Sequence, residues 1–225
     1  MRVEWHGQSA FTLTSEEAKV FIDPFGDMGP LLAGRGLKFD YPPIEADGVD
    51  LLLVTHEHRD HNAVEVIPGE PETLRATAGR HDSEAIGEVL GVASEHDEVA
   101  GTERGPNTIF VFALDGLRVA HFGDFGQREL REEQAAAIGA VDLLILPVGS
   151  GPTIGAAQAG AIVSRLDARW VVPMHYRNER ADFLPETEAE FVAQMPQTAR
   201  FGGPAFDTAD LPREGGPIAV VPAAP

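Results

Sequence analysis

Continuous apolar runs separated by short polar or glycine-containing turns mark the buried strands of this chain. Residues 51–54, 143–146 and 170–174 are apolar at every position, which is typical of strands covered on both faces. Residues 3–5 and 10–13 alternate instead, as expected of strands with one covered face. The pattern predicts strands over 3–5, 10–13, 18–22, 49–54, 72–77, 92–95, 107–114, 117–122, 141–146 and 170–174, with an edge strand over 218–221.

Helical patterns are fewer and lie mostly in the second half of the chain. Helices are predicted over 63–67, 128–138, 155–166 and 186–194. A β-rich first half therefore gives way to strand–helix alternation, which is typical of the α/β class. The dipeptide Asp115-Gly116 between two apolar segments predicts a tight hairpin. Residues 24–48 are rich in Gly and Pro without a period, and we interpret them as a long loop that either covers a functional cleft or packs as ordinary surface.

The length and composition of the chain are those of one domain. With 225 residues, 43% of them hydrophobic, we predict a single domain over 1–225 whose tail, 207–225, is partly irregular. The absence of cysteine means that a metal ion would be held by imidazole and carboxylate. Residues 1–6 lack the apolar core of a signal peptide, and no apolar run approaches the ~20 residues of a membrane span. We therefore expect a cytoplasmic protein.

The charge of the chain is strongly acidic. Seventeen basic and 36 acidic residues give a net charge of −19, and such a surface repels nucleic-acid phosphates and anionic lipid. We expect a small-molecule substrate, no nucleic acid and no membrane partner, and we leave homo-oligomerisation open. The acidic, lysine-poor composition suits a high-salt cytoplasm, but it could equally reflect genomic base composition.

The most specific motif follows the predicted strand 49–54. Residues 55–61, T-H-E-H-R-D-H, put three histidines and an aspartate into one turn at a strand end, where open α/β sheets carry their chemistry. Alternate residues of an extended turn would put His56 and His58 on one side, and Asp60 and His61 at a neighbouring point. This arrangement suits two ions close together, so we predict a binuclear metal site.

Two ions need more ligands than these four. Asp124 lies just past a strand and has two carboxylate oxygens that could bridge two ions, and His175 ends the strand 170–174. The remaining histidines considered are His96, His81, His121 and His6. Of these, His81 is expected near the start of a helix. Asp23, at another strand end, could accept the second ring N–H of a coordinated imidazole.

The segment 55–61 resembles the signature of the metallo-β-lactamase superfamily. Further segments are similar, in the same order, to one branch of it, the stand-alone hydrolase-like proteins related to the ascorbate-6-phosphate lactonases. These segments are 5–11, 21–24, 107–110, 121–124, 146–149 and 172–176, so the similarity extends over residues 3–176. One departure concerns Gly7-Gln8-Ser9, where the branch often has Gly-His-Ser.

The resemblance implies an α/β fold, a four-layer αβ/βα sandwich with the metal site in the cleft between its two sheets. The implied ligands are His56, His58 and His96 for the first ion and Asp60, His61 and His175 for the second, with Asp124 bridging. The implied cofactors are two divalent ions, zinc in the first place, with manganese or iron as alternatives. The predicted catalytic residues are Asp60 and Asp124, the predicted substrate contacts are Tyr176, Arg177 and His6, and Asp23 is the predicted outer partner of a ligand.

The predicted activity is hydrolysis of a small-molecule ester, lactone, amide or phosphodiester by a metal-bound hydroxide. Two divalent ions lower the pKa of a bound water from ~15.7 to roughly 7, which makes hydroxide available at neutral pH. Two alternatives stay open: an iron-dependent redox enzyme of the same fold, and a non-catalytic module that uses its metals structurally. Complete ligation by seven residues argues against the second alternative, and the net charge disfavours a nuclease.

Overall fold

Two β-sheets packed face to face form the body of the molecule in the computed structural model, which describes all residues from 1 to 225. In chain order the strands are β1 (Arg2–Gly7), β2 (Ala10–Thr14), β3 (Lys19–Ile22), β4 (Leu51–Val54), β5 (Glu72–Arg75), β6 (Gly79–Ser83), β7 (Gly87–Glu95), β8 (Pro106–Leu114), β9 (Leu117–His121), β10 (Leu143–Pro147), β11 (Trp170–Met174), β12 (Gln197–Arg200), β13 (Ala205–Asp207) and β14 (Ile218–Val221). The helices are α1 (Gly29–Ala33), α2 (Glu132–Ile138), α3 (Ala156–Arg165) and α4 (Ala189–Val192), with 3-10 turns at Val64–Val66 and Thr208–Asp210.

Each sheet combines an antiparallel and a parallel part. The six-stranded sheet has the order β13-β1-β2-β3-β4-β5 and is parallel from β3 to β5. The eight-stranded sheet has the order β12-β14-β11-β10-β9-β8-β7-β6 and is parallel from β12 to β9. Because parallel strands direct their carboxyl ends to one edge, the turns after β3, β4, β9 and β11 can meet there.

The core lies between the two sheets. Along β3 the side chains alternate, so that Val20 and Ile22 belong to the large hydrophobic cluster between the sheets and Phe21 belongs to a smaller cluster on the outer face. Helices α2 and α3 cover the outer face of the eight-stranded sheet through residues such as Ile138 and Ile162. The segment 24–48, with the short α1, covers the outer face of the six-stranded sheet.

The predicted fold class is confirmed, and most strands lie where the apolar runs place them. The hairpin at Asp115-Gly116 joins β8 to β9 directly, with Leu114 opposite Leu117 and φ angles of 53° and 70° at the two turn residues. The helices are shorter in the structure than the sequence pattern predicts. Helix α2 begins only at Glu132, and α4 spans only Ala189–Val192. The segment 63–67 forms a 3-10 turn instead of an α-helix.

Two sequence interpretations are wrong. Residues 218–221 do not form an edge strand, because β14 lies between β11 and β12 and is paired with both. The edge is β12, whose polar sequence Gln-Thr-Ala-Arg gives no strand signal. His81 does not lie near a helix start but in the middle of β6, an edge strand of polar residues paired with β7.

None of the helices has the length and hydrophobicity that crossing a bilayer requires.

Candidate metal centre

The residues predicted as ligands are carried by four turns, each of which begins where a strand ends. The turn 55–61 follows β4, His96 follows β7, Asp124 follows β9 after Phe122 and Gly123, and His175 follows β11. His175 has a φ of 51°, a left-handed conformation that is unusual for a residue with a Cβ atom. The fold therefore brings together segments that are up to 119 residues apart, from His56 to His175.

The turn 55–61 is fixed by a buried carboxylate. Asp23 accepts the backbone N–H of Thr55 at 2.7 Å on Oδ1 and the Thr55 hydroxyl at 2.7 Å on Oδ2. The backbone carbonyl of Thr55 accepts an N–H from Thr108 of β8 at 2.9 Å. The start of the turn is thus tied to β3 on one side and to the opposite sheet on the other, which fixes where the following histidines point.

Six of the predicted ligands lie in two of the three groups of close ligand atoms in the structure, and the third group is Asp23, His56 and His61. The potential ligand atoms of His56, His58 and His96 lie within 4.8 Å of one another, and so do those of Asp60, His61 and His175. Nε2 of His56 and Nδ1 of His58 are only 3.1 Å apart. Two ring nitrogens at this distance need a proton or a metal ion between them, because two lone pairs would repel.

Asp124 lies between the two groups. Its Oδ2 is 3.1 Å from Nε2 of His96, 3.2 Å from Nε2 of His175, 3.3 Å from Nε2 of His61 and 3.9 Å from Nε2 of His56. Its Oδ1 accepts the Ser9 hydroxyl at 3.3 Å, and its backbone N–H donates to Asn107 at 3.0 Å. A single carboxylate oxygen therefore faces four imidazole nitrogens, which is the position expected of a bridging ligand.

Outer partners fix which nitrogen of each ring faces inward. Nδ1 of His61 donates to Asp23 at 2.9 Å, Nδ1 of His96 donates to the Pro152 carbonyl at 3.1 Å, and Nδ1 of His56 donates to Thr55 Oγ1 at 3.0 Å. Nδ1 of His175 lies 3.4 Å from Thr153 Oγ1. In the neutral form that binds a metal ion, each of these rings then has its lone pair on Nε2, the atom that faces Asp124.

The electrostatics of the cluster favour a bound cation. Burial lowers the pKa of His56 and His58, and neighbouring histidines lower both further, so these rings are neutral and able to bind metal at pH 7. Burial would raise the pKa of Asp124, but His175 and His61 hold it well below the usual range of a carboxyl. Burial would lower the pKa of His61, but Asp124, Asp60 and Asp23 raise it well above its usual value. The same three carboxylates would attract a divalent ion.

One buried atom tests directly whether these residues fit a metal ion. Nε2 of His61 is fully buried and has no hydrogen-bond partner, although Asp124 is close to it. A buried polar atom left unpaired costs about 1–3 kcal/mol, so such atoms are rare and usually have a function. Coordination would satisfy this atom. Six imidazole or carboxylate donors around Asp124 form a set that suits zinc, manganese or iron.

Comparison with known proteins agrees with this geometry. A profile of the family described as a β-lactamase superfamily domain matches residues 2–175. The chain belongs to the metallo-β-lactamase superfamily. A relative from Methanosphaera stadtmanae, described as a UPF0173 metal-dependent hydrolase, is 31% identical over 207 residues, which cover 78% of this chain and 84% of the relative. A protein of the same description from Nitratidesulfovibrio vulgaris is 31% identical over 204 residues, covering 78% and 80%.

A solved structure shows the same fold. A candidate zinc-dependent hydrolase of the metallo-β-lactamase superfamily from Thermotoga maritima superposes with a TM-score of 0.77 over 99% of both chains, at 24% identity. The relatives make the chain a metal-dependent hydrolase of the superfamily, and the superposition supports the fold. The predicted resemblance is confirmed at this level.

The predicted substrate contacts of this metallo-β-lactamase-fold hydrolase have different surroundings. Arg177 is exposed in the turn after His175. Tyr176 is buried, with its ring centroid 5.4 Å from that of Trp5, and burial raises the pKa of its hydroxyl. His6 stacks on Phe21 on the outer face of its sheet, with centroids 5.1 Å apart, and its Nε2 is bonded to Thr12. These contacts favour packing roles for Tyr176 and His6, and substrate contact by any of the three stays a prediction.

Sequence reasoning missed several residues that support the ligands. The hydroxyl of Thr55 donates to Asp23 and accepts from His56. The hydroxyl of Ser9 donates to the second carboxylate oxygen of Asp124, and the side chain of Asn107 accepts the backbone N–H of Asp124. His121, one of the histidines considered from the sequence, was not missed: it donates from Nε2 to the Ser9 carbonyl at 3.0 Å and accepts the Gly123 N–H on Nδ1 at 3.2 Å. Only Thr55 lies beside a predicted ligand in the sequence, so position gave no signal for Ser9 or Asn107.

A glycine lets the turn of His96 approach the turn of Asp124. A Cβ atom on Gly126 would overlap the backbone of His96 and Asp97. We expect Gly126→Ala to lower Tm by roughly 2–12 °C, since overpacking costs about 1–3 kcal/mol, and to lower the metal content by displacing His96. Differential scanning fluorimetry and elemental analysis measure both effects. Gly202→Ala is the control, because a Cβ there meets no atom within 4 Å; equal effects of the two variants would contradict the prediction.

Proposed function

We propose that the centre binds two divalent metal ions, zinc in the first place, and that the enzyme hydrolyses an ester, lactone, amide or phosphodiester of a small molecule. The observation that carries this proposal is the position of Asp124, whose Oδ2 faces Nε2 of four histidines within 3.9 Å. His56, His58 and His96 would hold one ion, and Asp60, His61 and His175 the other, with Asp124 shared between them.

The bound ions would supply Lewis acidity, which activates water and polarises the electrophile. The residues of the chain set the direction of approach. His58 and Asp60 are the ligands that solvent reaches, whereas His56, His61, His96 and His175 are buried. A substrate would therefore enter on the side of His58 and Asp60. The exposed Arg177, two residues after His175, is close enough along the chain to contact the substrate.

The roles of the two predicted catalytic carboxylates differ. Asp124 is buried and its low pKa keeps it ionised, so it is a poor proton acceptor and acts by holding the ligands. Asp60 is partly exposed, with 24% of its side chain accessible, and its Oδ2 is 3.6 Å from Nε2 of His61. Asp60 is therefore the carboxylate that water and substrate reach at the mouth of the site. The net charge of −19 supports a small-molecule substrate over nucleic acid.

The decisive experiment is elemental analysis of the purified protein followed by a substrate panel. Zinc-, manganese- and iron-loaded samples are each assayed with 4-nitrophenyl acetate, a γ-lactone, an anilide and bis(4-nitrophenyl) phosphate. We expect about two equivalents of divalent metal and hydrolysis of at least one probe that a chelator removes and added metal restores. Turnover by metal-free protein would refute the proposal. A visible absorption band from bound iron with turnover of oxygen would support the redox alternative instead.

Loss of one exposed ligand tests the division into two groups. We expect His58→Ala to lower the metal content from about two equivalents to about one and to lower kcat/KM by ~100-fold, which corresponds to about 2.7 kcal/mol of transition-state stabilisation. The measurements are elemental analysis and kinetics on the best probe. His81→Ala is the matched control, because His81 lies in β6 outside the site. Full metal content in the His58 variant would contradict the assignment.

A further inference from the structure

Three buried side-chain atoms of this protein have no hydrogen-bond partner, and two of them belong to one residue. They are Nε2 of His61 and both amide atoms, Nε2 and Oε1, of Gln8. Coordination accounts for the histidine nitrogen. Gln8 is 0% exposed, and its carboxamide could use two donors and two acceptor sites. Nothing in the roles described so far uses it.

The backbone of Gln8 is held rigidly beside the metal centre. Its carbonyl accepts the indole N–H of Trp5 at 3.0 Å and the backbone N–H of His175, a ligand, at 3.3 Å. Its φ of 51° is left-handed, a conformation that a residue with a Cβ atom adopts only where its surroundings impose it. The next residue, Ser9, donates its hydroxyl to Asp124. Gln8 is therefore fixed between the turns that carry two ligands.

Another buried glutamine shows that this chain can satisfy such a group. Gln134 in α2 is 3% exposed, and both of its amide atoms are paired. Its Nε2 donates to the Ala93 carbonyl at 2.8 Å and to Gln127 at 2.9 Å, and its Oε1 accepts from Arg131 N at 3.0 Å. The unpaired carboxamide at Gln8 is therefore a property of its place in the molecule and not of buried glutamine in general.

We propose that Gln8 is a positioning residue of the metal centre, whose carboxamide is paired only when metal, or metal and substrate, are bound. Its partner is an uncharged oxygen group that accompanies the ions, either a water or an oxygen of the substrate. A neutral carboxamide with one donor atom and one acceptor atom suits such a group, whereas a buried ion would need an opposite charge. This inference rests on the proposed function, because it requires that the centre bind metal.

The proposal predicts an opposite effect on the metal-free and the loaded protein. Removing a buried polar group that has no partner is neutral or stabilising, whereas removing a paired one destabilises. We therefore expect metal-free Gln8→Met to melt at or above the temperature of the metal-free wild type. We expect its zinc Kd to rise about tenfold, the size typical of groups that orient a metal site from outside, so that the rise in Tm on zinc binding becomes smaller.

The experiment compares Gln8→Met with Gln134→Met by fluorimetry, with and without zinc, and by competition titration of zinc. The control should melt lower than wild type in both forms and keep the wild-type zinc Kd. Kinetics on 4-nitrophenyl acetate distinguish the two partners: a raised zinc Kd indicates water, and an unchanged zinc Kd with a tenfold rise in KM at constant kcat indicates substrate.

Two results would overturn the inference. One is a metal-free Gln8→Met that melts as low as Gln134→Met, which would make Gln8 an ordinary structural residue. The other is a variant with wild-type zinc Kd, KM and kcat. Failure of the proposed function looks different, because it would be seen in the wild type itself as a protein that zinc neither binds nor stabilises.

Discussion

Asp124→Asn is expected to abolish metal retention and to lower kcat/KM by at least about 10³-fold, or about 4 kcal/mol of transition-state stabilisation. The carboxylate Oδ2 faces the inward nitrogens of His61, His96 and His175 at 3.1–3.3 Å. An asparagine has the same shape but no charge, and one of its two terminal atoms is a donor that cannot bind a cation. Both ions would lose the ligand that they share, so excess zinc should not restore activity.

The measurements for Asp124→Asn are elemental analysis, kinetics at increasing zinc and the Tm of the metal-free protein. Asp115→Asn is the matched control, since Asp115 also follows a strand but pairs with the N-terminal amine at 2.8 Å, outside the metal centre. This pair is partly buried and lies away from the ligands, so its loss lowers stability at most, and metal content and kcat/KM should not change. Full metal content in the Asp124 variant would show that Asp124 is not a shared ligand.

The sequence predicts those strands that have a distinctive local pattern of apolar residues. β4, β10 and β11 are continuous apolar runs, and their ends could be located because Thr55 follows β4, Pro147 ends β10 and His175 follows β11. β6 and β12 were missed because edge strands face water on one side or both and carry polar residues. The place of β14 inside its sheet depends on which strands it pairs with, and the sequence of a strand does not encode its neighbours.

The site, like the fold, could be predicted from the sequence only where a short stretch of residues encodes it. The three histidines and Asp60 of residues 55–61 are local, so their spacing already indicates metal. Asp124 and His175 could be offered as further ligands from their places at strand ends, but the assignment of His96, Asp124 and His175 to particular ions came only from the resemblance to a family, because their approach depends on the order of strands. Gln8 could be noted only as a departure from the Gly-His-Ser pattern of the family, because its burial without hydrogen-bond partners is visible only in three dimensions.

The buried Asp23 shows how the ligands are oriented from outside the centre. Its two oxygens accept the N–H of Thr55, the hydroxyl of Thr55 and Nδ1–H of His61, all between 2.7 and 2.9 Å. Through the Thr55 hydroxyl the same carboxylate also determines that His56 carries its proton on Nδ1. One carboxylate thus sets the tautomer of one ligand in each metal group, although it is not itself needed as a ligand.

Asp23→Asn is therefore expected to weaken zinc binding by about 10–100-fold, the range found when outer partners of metal ligands are removed. The new amide group would turn a donor towards Thr55 or His61, each of which also donates, and the unpaired buried donor costs about 1–3 kcal/mol. At 2–4 °C per kcal/mol for a chain of this size, the metal-free variant should melt roughly 2–12 °C lower. In contrast to Asp124→Asn, excess zinc should restore most of the activity, because all seven proposed ligands are still present.

Competition titration of zinc and activity at increasing zinc measure this effect. Asp142→Asn is the matched control, because Asp142 accepts the N–H of Arg118 at 2.9 Å and pairs with Arg169 at 3.2 Å, at the start of β10 and away from the ligands. It should lose stability without losing zinc affinity. A wild-type zinc Kd in Asp23→Asn would mean that the packing of the turn alone orients His56 and His61. Activity that excess zinc cannot restore would instead make Asp23 a ligand, as its closeness to His56 and His61 would also permit.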